Sequence, residues 1–199
     1  YIVYRKDRKH DAFIENVVTD KDYRNKGLST ACLNYAKEIA NKYEVKEHLI
    51  LDIPNESFSG SALVNKTINP TKFNDYKNLP TEEVNSYVPF RNIIFLSFAL
   101  SIAESRNIHE IFIAVNKEDA INYWDCSVEF IEKMNIISKM NTSISIESPF
   151  INLSKKEVVL LGKNLGVDFN QTISCYQPID GVECGSCLSC IIKKEALNE

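Results

Sequence analysis

Four of the six cysteines lie close together near the C-terminal end, and their spacing constrains the fold more than any other feature. They are separated by eight, two and two residues: Cys175, Cys184, Cys187 and Cys190. Four soft thiolate ligands on a short, glycine-containing loop are what a tetrahedral structural zinc site needs. Two disulfides are the alternative, but cysteines spaced two residues apart are hard to pair without strain. The spacing therefore favours a structural zinc site.

Composition narrows the classes of partner. The protein has 199 residues, 44% of them hydrophobic, and a net charge of only −4, so it has no overall basic field to attract nucleic acid. The longest apolar run, residues 93–103, is too short to span a bilayer and is typical of a buried helix. No apolar export signal stands out near Tyr1. We therefore expect a cytoplasmic protein that acts on a small molecule, without direct binding to nucleic acid or membrane.

Strand-like and helix-like segments alternate along the sequence. Ser154 with Glu157 forms a capping-box pattern that opens a helix, and Gly166 ends it. Residues 54–90 are polar and lack periodicity, and a segment of that length is more often functional than passive. The alternation predicts an α/β fold with a largely parallel sheet. The predicted strands are 1–4, 12–18, 48–53, 111–115 and 144–146, and the predicted helices are 28–43, 92–104, 127–140 and 155–165.

Several polar or aromatic residues fall at the ends of these elements, where ligands usually bind in such folds. Arg91 begins a helix and could offer a planar donor fork to phosphate or carboxylate, or it could simply pack. Asp119 and Asp125 are typical of turns and helix caps. Trp124, the only tryptophan, could stack on a flat base or pack in the core.

Taken together, these segments resemble the 7-cyano-7-deazaguanine synthase family, over residues 45–196. The cysteines match the zinc ligands of that family one by one. The stretches that carry the resemblance are 60–63, 88–92 with 95–97, 122–126 with 129–130, 148–155, 157, 161–162 and 174–176. The resemblance implies an adenine nucleotide alpha hydrolase-like (Rossmann-like) parallel sheet followed by a zinc-binding loop.

The resemblance also implies a function. Enzymes of this family use ATP and Mg²⁺ to convert 7-carboxy-7-deazaguanine and ammonia into 7-cyano-7-deazaguanine, a precursor of queuosine and archaeosine. Arg91, Asn92 and Asp125 would line the pocket for the base and the adenylate, zinc would brace that pocket, and a homodimer is expected. Cys126 could act as a nucleophile, although a buried apolar cysteine is the simpler interpretation.

The N-terminal part departs from this pattern. The family has a Ser-Gly-Gly-x-Asp-Ser loop whose backbone N–H groups hold the ATP pyrophosphate. No two of the six glycines of this protein are adjacent, so that loop is missing or replaced here. We therefore expect the isolated polypeptide to form acyl-adenylate poorly.

A second resemblance covers the first 43 residues. A strand-like stretch followed by Arg24, Lys26, Gly27 and Ser29 resembles the acetyl-CoA-binding motif of GNAT acetyltransferases, in which amides at a helix start bind the CoA pyrophosphate. An ordinary strand, turn and helix would also fit. We predict a GNAT-like segment over residues 1–43 and a synthase-like domain over residues 44–199. Three functions remain open: the ATP-dependent ligase, a non-catalytic zinc-stabilised relative that binds deazaguanine, and an acetyltransferase fusion fragment.

Overall fold

A computed structural model describes most of the residues after position 57 and three short strands before it. The described residues are 2–5, 11–14, 45–49, 51, 53, 58–65, 67–179 and 182–198. None of the helices in these ranges has the length and apolar character needed to cross a membrane.

The protein divides into two compact units. We call the first the sheet unit; it comprises Tyr1–Ile53, Ile93–Ala114 and Glu132–Pro149. We call the second the cysteine unit; it comprises Pro54–Asn92, Val115–Ile131 and Phe150–Glu199. The boundary that we predict between residues 43 and 44 stays a prediction.

The sheet unit contains a five-stranded sheet in the order β3-β1-β2-β4-β5. Strands β2, β4 and β5 run parallel to one another, whereas β1 is antiparallel to both β2 and β3. The strands are β1 (Ile2–Arg5), β2 (Asp11–Ile14), β3 (Val45–Leu49), β4 (Glu110–Phe112) and β5 (Ser145–Glu147).

The prediction of an α/β fold with parallel strands is confirmed, but the sheet is mixed rather than largely parallel. Only five residues separate β1 from β2, and neighbouring parallel strands need a crossover of about a dozen residues or more. Strands β4 and β5 are separated by more than thirty residues that include helices, so they satisfy that requirement. A connection of five residues is too short for such a crossover, which accounts for the antiparallel pairing of β1 with β2.

Three helices of the described residues, two long ones and a single turn, follow the strand segments of the N-terminal part. Helix α1 spans Arg91–Ser105, and its end is fixed by Asn107 in the left-handed conformation, with φ at 56°. The Ile108 N–H returns to the Ala103 carbonyl at 2.8 Å and the Asn107 N–H to the Glu104 carbonyl at 3.3 Å, which is a Schellman ending. The one-turn helix α2 spans Asp119–Asn122, and α3 spans Val128–Lys139.

The core of the sheet unit is built from one face of α1 and the central strands. Leu96, Ala99 and Ala103 recur at helical spacing and are almost fully buried. Ile111 in β4 and Ile146 in β5 pair in register and are also buried. The apolar run 93–103 thus forms a helix, as its sequence predicts, but only one face of it is buried, since Phe98 is 44% exposed.

The cysteine unit ends in two helices, α4 (Lys155–Asn164) and α5 (Leu188–Leu197), which contact each other. The capping box predicted at Ser154 and Glu157 is present in full. Gly166 has φ at 80°, so the left-handed turn that ends α4 needs a residue without a side chain. Helix α5 is not among the predicted elements, because its polar and apolar residues begin inside the cysteine cluster.

Candidate functional site

The four cysteines of the predicted metal site converge in the cysteine unit. Their sulfur atoms all lie within 4.8 Å of one another, and the Sγ atoms of Cys184 and Cys190 are 3.9 Å apart. Zinc–thiolate bonds of about 2.3 Å in a tetrahedron place two sulfurs about 3.8 Å apart. The cluster therefore has the size and the donor set of a tetrahedral zinc site, and the cluster predicted from the spacing is confirmed.

Backbone N–H groups point at two of these sulfurs. The Cys184 N–H donates to Cys175 Sγ at 3.2 Å, and the Cys187 N–H donates to Cys184 Sγ at 3.3 Å. Partial burial opposes ionisation of Cys184, but N–H donors from Ser186 and Cys187 outweigh it and lower its pKa to about 6. Thiolate is the metal-binding form of cysteine, so the backbone around Cys184 favours that form at this sulfur, whereas burial raises the pKa of Cys175 and Cys190.

A partly buried ion pair supports the cysteine loop from behind. Lys193 on α5 donates to Glu183 Oε1 at 3.1 Å and to the Thr172 carbonyl. The same Glu183 oxygen accepts the Ser174 N–H at 2.6 Å. Because Ser174 and Glu183 directly precede Cys175 and Cys184, this network fixes the approach of both cysteines.

A second feature of the cysteine unit is a corner formed where the start of α1 meets residues 124–126. The Asn92 backbone N–H donates to Asp125 Oδ2 at 3.0 Å, and Asn92 Nδ2 donates to the Asp125 carbonyl at 2.9 Å. Both residues are almost fully buried. The carboxylate at the first turn of α1 is favoured by the positive end of the helix. Asn92 and Asp125 therefore hold the corner together, because the donors of Asn92 are paired with the acceptors of Asp125.

Arg91 differs from its two neighbours in this corner. Its Nε atom is buried and is the single buried side-chain nitrogen or oxygen without a hydrogen-bond partner among the described residues. A buried donor left unpaired costs about 1–3 kcal/mol, so such atoms are rare and call for an explanation. Of the three predicted pocket residues, Arg91 is thus the one whose side chain has an unsatisfied hydrogen-bond donor.

Three aromatic side chains surround this corner. The Trp124 indole N–H donates to the Tyr87 hydroxyl at 2.6 Å, and the Phe90 backbone N–H donates to the same hydroxyl at 3.3 Å. The rings of Phe90 and Trp124 meet edge to face with centroids 5.4 Å apart. Phe90 is 55% exposed and Trp124 is 44% exposed, so both rings present surface to solvent. The sequence singles out Trp124 as a stacking candidate, whereas Tyr87 and Phe90 belong only to the cluster 87–92 at the start of a predicted helix and receive no role of their own there.

A polar pocket lies between α2, the start of α4 and the residues after Cys175. Burial raises the pKa of Asp119 above its usual range, although Lys155 acts in the opposite direction. Asp119 accepts hydrogen bonds from the backbone and side chain of Asn116, so it is both a cap and a buried carboxylate. The lining includes Glu118, Asp119, Asn122, Tyr123, Lys155 and Tyr176.

Hydroxyl groups connect this pocket to the cysteine loop. The Tyr176 hydroxyl lies 3.1 Å from that of Tyr123, which in turn lies 2.8 Å from Ser86 Oγ. Tyr176 directly follows Cys175, so a cysteine of the cluster and a wall of the pocket share one short stretch of backbone. Its place in the sequence motif 174–176 was the signal that could have identified Tyr176.

Cys126 fits the simpler of its two interpretations. The side chain is 4% exposed and accepts a hydrogen bond from Asn92 Nδ2 at 3.3 Å. Burial, together with the charges of Asp119 and Asp125, raises its pKa to about 12. It is therefore a neutral thiol near pH 7 and a poor nucleophile.

Fold and site together define an α/β protein with a C-terminal cluster of four cysteines and an arginine-containing corner at the start of helix α1. The predicted acetyl-CoA residues Arg24, Lys26, Gly27 and Ser29 lie outside the described residues.

The family follows from comparison with known proteins. The model of the family described as "Queuosine biosynthesis protein QueC" matches residues 9–199, so the chain belongs to the QueC family. It is 41% identical over 165 residues to the 7-cyano-7-deazaguanine synthase of Rickettsia rickettsii (strain Sheila Smith), covering 79% of this chain and 72% of that protein. It is 38% identical over 179 residues to the 7-cyano-7-deazaguanine synthase of Rickettsia canadensis (strain McKiel), covering 86% of this chain and 79% of that protein.

These matches confirm the resemblance inferred from the sequence and extend it. The family match begins at residue 9, whereas the stretches that carry the resemblance begin only after about residue 45. The family match thus includes most of residues 1–43, the segment that we compare with GNAT acetyltransferases. The resemblance to GNAT acetyltransferases receives no support from these comparisons.

Proposed function

We propose that this protein is a 7-cyano-7-deazaguanine synthase that acts on 7-carboxy-7-deazaguanine, ammonia and ATP. ATP first activates the substrate carboxylate as an acyl-adenylate with release of pyrophosphate, and ammonia displaces AMP to give an amide. A second ATP activates the amide oxygen, and loss of AMP leaves the nitrile. Adenylation must come first because a carboxylate is a poor electrophile with a poor leaving group.

The observation that carries this proposal is the family match, which runs through both the corner and the cysteine cluster. The two Rickettsia synthases align over more than 70% of their own length. Mg²⁺ would accompany the ATP phosphates, as it does in most enzymes that transfer nucleotidyl groups.

We assign the four cysteines to one structural zinc ion. Zinc bound by four thiolates has no open position for substrate, so its contribution is a cross-link that holds the loop in place. Through Tyr176 and Tyr123 that cross-link would reach the polar pocket. Residues 172–174, held by Lys193 and Glu183, would keep the loop aligned.

We assign different roles to the three predicted pocket residues. Arg91 would contact an anionic group of the substrate or adenylate, since its buried Nε is without a partner among the described residues. Asn92 and Asp125 would act indirectly, because their mutual hydrogen bonds fix the backbone on either side of them. In this proposal they position Arg91 and Trp124 rather than bind the substrate.

We further propose that the 199-residue polypeptide turns over slowly when it is tested by itself. Its sequence has no Ser-Gly-Gly-x-Asp-Ser loop. Preorganised backbone donors at a developing charge are worth about 10²–10³ in kcat each. A non-catalytic relative that binds deazaguanine is the alternative, and the missing loop is the observation that favours it.

The test is a side-by-side assay of this protein and the Rickettsia rickettsii synthase with 7-carboxy-7-deazaguanine, ammonium, ATP and Mg²⁺. Mass spectrometry follows the amide and nitrile, and AMP release is measured separately. We expect about one zinc per polypeptide and product formation at least about 100-fold slower than in the relative. Equal rates would contradict the proposed impairment, and binding without any AMP or amide would favour the non-catalytic relative.

The expected homodimer and cytoplasmic location stay predictions. Exposed apolar side chains at the end of α3, Ile136, Ile137 and Met140, would suit burial against a second copy. Light scattering on the purified protein at micromolar concentration measures the oligomeric state directly.

A further inference from the structure

Phe90 and Trp124 are large rings that remain exposed although their positions are tightly fixed. One hydroxyl, that of Tyr87, accepts both the Trp124 indole N–H and the Phe90 backbone N–H. Phe130 also contacts Trp124 edge to face, with centroids 5.6 Å apart. An indole with its N–H bonded and one edge packed has little freedom to turn, so its exposed surface is presented in one orientation.

The backbone of Phe90 is also unusual. Its φ of 56° lies in the left-handed region, which bulky residues rarely adopt. Glycine or asparagine would relieve that strain at this position. Residues held in such conformations cluster at ligand sites, where a fixed side-chain direction compensates for the strain. The ring of Phe90 gains little from packing, since more than half of the residue is exposed.

A cation follows directly in the sequence. Arg91 has a buried Nε without a partner in the described part of the protein. Its charge is near enough to favour the ionised forms of Asp119, Tyr123 and Cys126. Arg91 is joined to Phe90 by one peptide bond, and Asn92 ties this segment to Asp125, the neighbour of Trp124. The corner therefore fixes two exposed rings and one incompletely paired guanidinium relative to each other.

We infer that Phe90 and Trp124 form a platform for a flat, purine-like base, which stacks on the face of Trp124 and meets the Phe90 ring, set at 76° to the indole, with its edge. Arg91 binds an anionic group carried by the same ligand. Aromatic rings recognise the π-face of a base, and a guanidinium suits a carboxylate or a phosphate. The inference rests on the proposed function for the identity of the ligand. Two ligands share this chemistry, 7-carboxy-7-deazaguanine and ATP, and the platform would serve one of them.

Trp124 is the only tryptophan, so intrinsic fluorescence reports on the platform alone. The purified protein is titrated separately with 7-carboxy-7-deazaguanine, with 7-deazaguanine lacking the carboxylate, and with ATP–Mg²⁺; calorimetry measures each affinity independently. We expect saturable quenching by one anionic ligand only. Trp124→Leu should lower the affinity for that ligand about 5- to 150-fold, since stacking contributes about 1–3 kcal/mol per base. Arg91→Met should remove the preference for the carboxylate over its uncharged analogue if the ligand is the deazaguanine.

Phe90→Gly separates ligand binding from folding. It removes the ring and the left-handed strain together, so the melting temperature should stay at or above that of the wild type while affinity falls. Tyr76→Leu is the matched control, because Tyr76 is an exposed aromatic residue on a short turn that contacts α5. The Tyr76→Leu variant should bind the ligand with the affinity of the wild type. Equal loss in this control would overturn the inference.

The inference and the proposed function fail in different ways. Ligand binding with no change in fluorescence and no loss in Trp124→Leu overturns the platform, whether or not nitrile forms. Failure of every ligand to bind also overturns it. Binding that depends on Trp124 and Phe90 in a protein that makes no amide or nitrile supports the platform and contradicts the catalytic proposal alone.

Discussion

The cysteine cluster and the Asn92–Asp125 corner are both built from closely placed polar groups, but they use those groups in opposite ways. In the cluster, four sulfurs lie within 4.8 Å of one another, and backbone N–H groups and the Ser186 hydroxyl donate to them. In the corner, the donors of Asn92 are directed at Asp125 and Cys126. A ligand set keeps its donor atoms available to an ion, whereas a structural brace satisfies them within the protein. That difference assigns the cysteines to a metal and assigns Asn92 and Asp125 to support.

Cys187→Ser tests the metal side of this comparison and should have the largest effect. Cys187 is 2% exposed, and structural zinc sites contribute about 10–16 kcal/mol of apparent binding free energy that is also folding free energy. We expect loss of zinc by metal analysis and a large fall in melting temperature.

Cys126→Ser is the control, since it also replaces a buried cysteine but lies outside the cluster. It should retain one zinc per polypeptide. If Cys187→Ser kept both its zinc and its melting temperature, the four cysteines would have to be reassigned.

Asp125→Ala tests the brace. The change leaves the Asn92 N–H buried without its carboxylate acceptor, and such losses cost about 1–3 kcal/mol. Urea unfolding should show this decrease, with zinc content unchanged. Trp124 fluorescence should shift as well, because Asp125 fixes the backbone next to it.

Asp75→Ala provides the comparison for that variant. Asp75 is exposed and caps the short turn at residues 76–78, so its removal should cost below about 1 kcal/mol. If the two variants lost the same stability, the corner would not be a special support.

The two regions also differ in how far the sequence could predict them. The cysteines fall within 16 positions of each other and share one chemistry, so their spacing alone identifies the site. Asn92 and Asp125 are 33 positions apart, and nothing local indicates that they use their polar atoms on each other. The same limit applies to the sheet: alternation predicted parallel strands, but the antiparallel pairing of β1 with β2 depends on the small number of residues between them.

Ser154→Ala tests a feature that the sequence did predict in full. Ser154 Oγ accepts the Glu157 N–H at 3.2 Å, and Glu157 accepts the Ser154 N–H at 2.7 Å. Loss of a cap of this kind costs about 1 kcal/mol. Ser105→Ala, at the exposed end of α1, should change the free energy of unfolding much less. Thermal unfolding of both variants measures the difference, and equal effects would contradict the capping role.

Asp119→Asn should have the smallest effect on stability, and one of opposite sign. Burial raises the pKa of Asp119 in the folded protein, although Lys155, Arg91 and the Asn116 N–H oppose this and Glu118 adds to it. A carboxyl with a raised pKa favours the folded state when protonated, so its stabilising effect fades as the pH rises from its unfolded to its folded pKa. The Asp119→Asn variant does not lose stability in this way, because its amide does not ionise, and it can still accept the hydrogen bond from Asn116. The melting temperature of the variant relative to the wild type should therefore increase between pH 4 and pH 7.

A difference that is constant with pH would mean that Asp119 is not a destabilised buried carboxylate. A stabilised variant with reduced product formation would indicate that the pocket keeps this charge for its function.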